Sequence, residues 1–253
     1  MKNTAVNVKP VTTPGPNGRR NFLKMSGLAL AGTGLLIAGC SDDDLETPAV
    51  DPNAQLPGVR NGKFDLGGGD AGILTYAYAL EQLEADFYTR VVNNSAFRTA
   101  FGEEEQAVLV DLYNHEVIHR EFFRTAITGA LAGTSGTLLP DLAFNYGNLN
   151  FANKTAILQT AMALEDTGVR AYNGAGQYIT NADYLVIAGK IVSVEARHAS
   201  AIRDLLNGGT SFAGDDAVDP VTGLDKAENP SAIIRQVSSL NIIQTPFTAQ
   251  FLQ

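Results

Sequence analysis

Three histidines serve the whole chain, and all three sit beside glutamates at helical spacing. Glu116 and His119 form one Glu-x-x-His, and Glu195 and His198 form another. On a helix, residues i and i+3 leave the same face, so each motif offers a carboxylate and an imidazole to one point. The apolar neighbours identify that face. Leu109, Leu112, Glu116, His119, Phe123 and Ile127 make one helical stripe. Ala188, Ile191, Glu195, His198, Ile202 and Leu205 make a second that is nearly superimposable on the first with an offset of 79. Both motifs therefore face a core, where an ionised carboxylate requires a partner.

The elements that must carry these residues read as four long helices. The first runs from Asp70, a candidate cap, to about Val92, with Asn93-Asn94 as its stop. The second spans Glu103 to Leu131, with three acids at the positive end of its dipole. Residues 132–152 are rich in Gly, Pro and Asn and break the pattern. The third fits Asn153 to Ile179, and the fourth runs from a cap at Asn181 to Asn207 before Gly208-Gly209. Two short links and one long one predict an all-α fold, a four-helix bundle with one long crossover connection. An irregular C-terminal tail follows, with one short helix over Pro230–Leu240, and no segment reads as a convincing strand.

The first and third helices also repeat each other. Leu74, Ala77, Leu80, Glu81 and Tyr88 recur at the same spacing as Leu158, Ala161, Leu164, Glu165 and Tyr172. The chain thus holds two copies of one unit: a helix bearing Glu…Tyr, then a helix bearing Glu-x-x-His. Four carboxylates and two imidazoles would meet midway along one bundle.

Composition limits the partners. The net charge is -9, and all five basic residues before position 40 lie in a segment without acids. The remaining body is more acidic still, which excludes a phosphate-backbone binder; no nucleic-acid partner is expected. Gly18-Arg19-Arg20-Asn21-Phe22-Leu23-Lys24 resembles a twin-arginine export signal, and Leu36-Ile37-Ala38-Gly39-Cys40 resembles a bacterial lipobox. The expected organisation is a signal peptide over 1–39, a lipidated flexible tether over 40–69 starting at Cys40, a bundle over 70–208, and a tail over 209–253 packing on it. Cys40 is the only cysteine, so the mature body has neither a disulfide nor a thiolate ligand. Ser41-Asp42-Asp43-Asp44 resembles the acidic surface-export tag of Bacteroidetes lipoproteins, so the expected location is the bacterial cell envelope, through a lipid anchor.

Taken together, Leu80–Tyr88, His115–His119, Leu164–Asp166 and Glu195–His198 resemble exported ferritin-like domain proteins of the desiccation-related type. The resemblance covers about residues 70–208. It implies a ferritin-like four-helix bundle with two metal ions, Fe or Mn, acting with dioxygen or hydrogen peroxide. Glu116 and Glu195 would bridge the metals, Glu81 and His119 would complete one, and Glu165 and His198 the other. Tyr88 and Tyr172 would orient carboxylates across the bundle. Glu84, near the same inner face, competes with Glu81 and is placed outside the ligand set, as is His115. Gly168, one turn after Glu165, leaves room for a bound oxygen species or relieves packing.

Two other readings stay open on the residues alone. Protonated glutamates could fill such a core in a metal-free stress or binding module. His115-Glu116-x-x-His119 also satisfies the zinc metalloprotease signature, with Glu116 as general base. That reading leaves Glu81, Glu195, His198 and the internal duplication without a role.

Overall fold

The computed structural model describes residues 55–252. The expected signal peptide, the Arg19-Arg20 pair and Cys40 lie outside the described residues. Four long helices dominate: α1 (Gly69–Val92), α3 (Glu103–Ala130), α4 (Lys154–Ala175) and α5 (Ala182–Asn207), with α2 a single turn at Phe97–Ala100. α6 (Pro230–Ser239) stands in the tail. α1 packs mainly on α3, and α4 on α5. The two hairpins face each other through α1 against α4 and α3 against α5. This is the ferritin-like bundle with a long crossover, here 131–153. None of the described helices is long and apolar enough to cross a membrane.

The helix ends follow from side chains that satisfy backbone groups left over at termini. Asn153 Oδ1 accepts from Ala156 N at 3.0 Å and starts α4. Asn181 Oδ1 accepts from Asp183 N and Tyr184 N and starts α5. Glu105 reaches back to Gly102 N at 2.8 Å at the head of α3. Gly208 ends α5 with φ 64°, a left-handed conformation that a side chain disfavours. Asp70 departs from expectation. Gly68 is the N-cap of α1, and the Asp70 carboxylate instead accepts from Thr180 N, Thr180 Oγ1 and Asn181 N at 2.7–2.9 Å. It ties the start of α1 to the α4–α5 turn. The last turn of the predicted third helix tightens into a 3₁₀ segment, Gly176–Tyr178.

α1 is the central helix, buried along most of its 24 residues, because the crossover lies on its outer side. Gln82 holds that strap from both ends of its amide: Leu142 N donates to Oε1 at 2.7 Å, and Nε2 donates to Pro140 O at 3.3 Å. Tyr146 donates to Leu83 O nearby. α3, by contrast, buries only Leu109, Leu112, Glu116, Phe123 and Ile127 of its 28 residues, a narrow stripe.

Two parts of the chain differ from the sequence expectation. Residues 55–68 are folded where a tether over 40–69 is expected. β1 (Gly58–Arg60) and β2 (Lys63–Asp65) form an antiparallel hairpin, and β3 (Phe247–Thr248) adds to it in parallel. Asp65, fully buried, holds this small sheet together by accepting from Gly67 N, Thr248 Oγ1 and Gln250 N. The tail therefore returns to the start of α1, where Leu252 enters the core beside Gly72. Farther back, the segment at Glu228 crosses α4 directly over Gly174, where a Cβ would collide with the Glu228 carbonyl. Glu228 N donates to Arg170 O at 3.1 Å.

Candidate metal centre

Halfway along the bundle each long helix contributes one glutamate, and α3 and α5 add one histidine each. Glu81, Glu116, Glu165 and Glu195 are all fully buried, and His198 is 2% exposed. The helical spacing explains the convergence. Each residue lies on the inward stripe of its helix, and i to i+3 places each histidine one turn from its glutamate.

The geometry has a near two-fold character. His119 Nδ1 lies 2.9 Å from Glu195, 3.5 Å from Glu81 and 3.5 Å from Glu116. His198 Nδ1 lies 2.7 Å from Glu116, 3.5 Å from Glu165 and 3.6 Å from Glu195. Two sets of ligand-capable atoms result, Glu81/Glu116/His119/Glu195 and Glu116/Glu165/Glu195/His198, each within 4.8 Å. Glu116 and Glu195 belong to both.

These short contacts are not aligned hydrogen bonds. Both oxygens of Glu116 and Glu195, one oxygen each of Glu81 and Glu165, and Nδ1 of both histidines are buried without any hydrogen-bond partner. Native interiors rarely leave buried polar atoms unpaired. Here eight ligand-capable atoms lie close together without a partner, an arrangement that suits a bound cation. Four carboxylates and two imidazoles suit iron or manganese, and the residues present fit a two-metal site.

The remaining carboxylate oxygens are held from across the bundle. Tyr88 on α1 donates to Glu165 Oε1 on α4 at 2.5 Å, and Tyr172 on α4 donates to Glu81 Oε1 on α1. Burial first, then the neighbouring carboxylate, pushes both phenols far above their ordinary range, so they stay neutral donors. Each half of the duplicated sequence thus orients a carboxylate of the other.

Without metal the cluster is electrically divided. Burial opposes charge on Glu195, but His119 and His198 bring its carboxyl down to about 2. Burial likewise opposes a charged His119, yet Glu116, Glu195 and Glu81 push it up to about 12. Burial raises Glu165 to about 7 against the pull of His198 and Tyr88. It also raises Glu81, Glu116 and Glu84.

Two residues outside the ligand sets have definite places. Glu84 is buried and neutral, raised first by burial and then by Glu195, Glu116, Glu165 and Glu81. A Cβ on Gly168 would meet Glu84 Oε1 at 3.0 Å, so the glycine makes room for that carboxyl group. The sequence carried a signal for this pairing: Glu84 and Gly168 occupy equivalent positions in the two repeats. His115 meets His198 end to end: the rings are within 13° of parallel, their centroids are 5.1 Å apart, and His115 Nδ1 lies 2.9 Å from His198 Nε2. With His198 Nδ1 facing the carboxylates, its Nε2–H donates to His115, which fixes the tautomer. Among the described residues no ligand-capable set includes His115, so the two histidines of His115-Glu116-x-x-His119 do not share a metal position. The zinc-protease reading fails on that point.

A profile of the ferritin-like domain matches residues 69–208, more than half of the chain. The chain belongs to the ferritin-like domain family. The chain also resembles a crystal structure from Thermotoga maritima described as a ferritin-like diiron-carboxylate protein. That likeness has 20% identity and a TM-score of 0.42 over 55% of this chain and 95% of the other. No curated protein matches the chain. Within the ferritin-like region all six clustered residues, Glu81, Glu116, His119, Glu165, Glu195 and His198, fall inside the matched span.

Proposed function

We propose that this ferritin-like protein binds two metal ions, iron or manganese, and uses them in oxygen- or peroxide-linked redox chemistry or stress protection at the bacterial cell envelope. The observation that carries this reading is the set of buried, unpartnered ligand atoms shared between two groups through Glu116 and Glu195. Glu81 and His119 would complete one site, and Glu165 and His198 the other. A bound pair of such ions supplies electron exchange with dioxygen or peroxide. The protein's own residues do the rest. Tyr88 and Tyr172 hold Glu165 and Glu81 in one orientation, so ligand positions are set before metal arrives. Full burial of the four glutamates keeps bulk water from the centre. Glu84 holds a proton on its carboxyl group beside Gly168 and Glu195.

A second reading has its own support. Two imidazolium rings against ionised Glu195 and partly protonated glutamates give a cluster that is nearly charge-balanced without metal. On that reading the bundle is a metal-free binding or stress module. Elemental analysis of full-length protein, purified from its own host without chelator, separates the two. About two atoms of iron or manganese per chain supports the metal centre. No bound transition metal, with a melting temperature indifferent to chelator, supports the module.

Export and anchoring rest on Arg19-Arg20 and on Cys40 within Leu36–Cys40. The twin-arginine route carries folded proteins, which suits a metal loaded before export. Cys40→Ala should abolish acylation, read by mass spectrometry of the mature protein; an acylated mutant would defeat the lipobox assignment.

A further inference from the structure

An apolar cavity of about 40 Å³ lies inside the bundle, beside the carboxylate cluster and separate from it. All four long helices line it, and small residues create it: Ala77 on α1, Ala126 on α3, Ala171 and Ala175 on α4, Ala188 on α5. Its inner wall includes Tyr172, the residue whose hydroxyl donates to Glu81, with Phe123 packed against that ring at 6.3 Å. Its outer wall includes Phe122, 37% exposed, with the half-buried Ala126, Ile187 and Ala188 on the seam between α3 and α5. The cavity therefore runs from the bundle surface to a tyrosine that touches a ligand of the centre.

We propose that this cavity is a binding site and entry port for a small apolar molecule, dioxygen in the working protein. Its use by dioxygen rests on the two-metal reading above; its occupancy by an apolar molecule does not. Size and chemistry choose the ligand. The volume exceeds the roughly 10–15 Å³ that admits one water, yet falls well short of the about 150 Å³ of an apolar cavity that takes benzene. Alanine, leucine, isoleucine and aromatic walls present almost no polar surface: the Tyr172 hydroxyl is committed to Glu81, and the unpartnered Tyr76 hydroxyl is a single group, fewer partners than water or peroxide needs. Water or hydrogen peroxide entering such a space gives up more hydrogen bonds than the walls can replace. Dioxygen gives up none. A cavity of this kind stays dry and takes apolar gases. The port thus favours dioxygen over peroxide as the oxidant that reaches the centre.

Xenon is the probe. Crystals of the full chain, metal-free and metal-loaded, are pressurised with xenon, and Ala188→Leu and Ala126→Leu are treated alike. The expected result is xenon density in the wild-type cavity in both forms and its loss in both variants. After loading with ferrous ion, each variant should react several-fold more slowly with dioxygen in stopped-flow absorbance, with its peroxide reaction unchanged. Two variants on different helices guard against one that fails to fold, and a circular dichroism melt reports folding. No xenon in the wild-type cavity overturns the site. Xenon loss with unchanged dioxygen rates, or equal slowing with both oxidants, overturns the port. A wild-type protein that binds no metal but does bind xenon overturns the two-metal reading and leaves the apolar site standing.

Discussion

The two halves of the bundle carry the same candidate ligands in different surroundings. α1 and α3 supply Glu81, Tyr88, Glu116 and His119; α4 and α5 supply Glu165, Tyr172, Glu195 and His198 at matching positions. The duplication breaks at two places next to the site. Glu84 on α1 stands opposite its own counterpart, Gly168 on α4. His115 on α3 corresponds to Val194 on α5. In consequence His198 has a second histidine behind it and its side chain is 3% exposed, whereas the His119 side chain is 12% exposed. Repetition preserves what must point inward. Divergence falls on the residues that decide how each half-site is backed, packed and wetted.

The largest expected effect comes from removing what the halves share. Glu116→Ala or Glu195→Ala should abolish binding in both half-sites, because each residue belongs to both ligand sets. His119→Ala should instead weaken the Glu81 half-site more than its partner. Metal stoichiometry by elemental analysis reads this directly. Full retention of metal in Glu116→Ala would break the shared-ligand picture, and with it the symmetry on which the comparison rests.

A smaller and one-sided effect belongs to His115. Groups that orient a histidine ligand typically contribute about 10–100-fold to metal affinity. His115→Ala should therefore weaken the second half-site by about that factor and spare the first. A stepwise metal titration followed by calorimetry distinguishes the two. Equal weakening of both sites, or of neither, would mean that the paired histidines do not differentiate the halves.

Most of this was legible in the sequence, and the reason is periodicity. The four helices announce themselves through continuous apolar stripes, through the cap at Asn181, and through the Gly208 stop. The cluster was legible because i, i+3 spacing and an internal repeat both constrain it. Short, non-local features were not. The strands at Gly58–Arg60, Lys63–Asp65 and Phe247–Thr248 are too short for an alternating pattern, and Phe64 pairs with Phe247 far along the chain. Asp70 had the right type for a cap, but its partners, Thr180 and Asn181, are brought to it only by the bundle. The His115–His198 contact likewise joins two helices whose facing cannot be read from either alone.

The pH response sharpens the second half-site further. Burial holds Glu165 at about 7, while the metal requires its ionised form. Above that value Glu165 is already ionised, and the protons released on binding come from the imidazoliums, His119 at about 12 among them, and from Glu81 and Glu116, which burial also raises. Below it, binding must also displace the Glu165 proton. Metal affinity should fall as pH falls throughout, and below about pH 7 the fall should steepen by about tenfold per pH unit. Proton release measured by calorimetry in buffers of different ionisation enthalpy checks this. A constant proton count across pH 7 would remove Glu165 from the binding equilibrium.

The smallest effect tests the break in the repeat itself, and it concerns stability. Gly168→Ala places a Cβ about 3.0 Å from Glu84 Oε1 and 3.8 Å from Glu195 Oε2. Overpacking of this kind costs about 1–3 kcal/mol. Against it, alanine gains about 0.5–1 kcal/mol over glycine inside a helix. The single variant should thus be less stable by about 1 kcal/mol, read by urea denaturation of chelated protein so that metal content does not enter. In a Glu84→Ala background the obstructing carboxyl is gone, and only the helical gain remains. There Gly168→Ala should be stabilising, so the substitution changes sign between the two backgrounds, a coupling that a double-mutant cycle isolates. If the penalty persists after Glu84 is removed, the glycine is required by something other than the carboxyl opposite it. Glu84 and Gly168 would then be independent departures from the repeat, and not a matched exchange across the bundle.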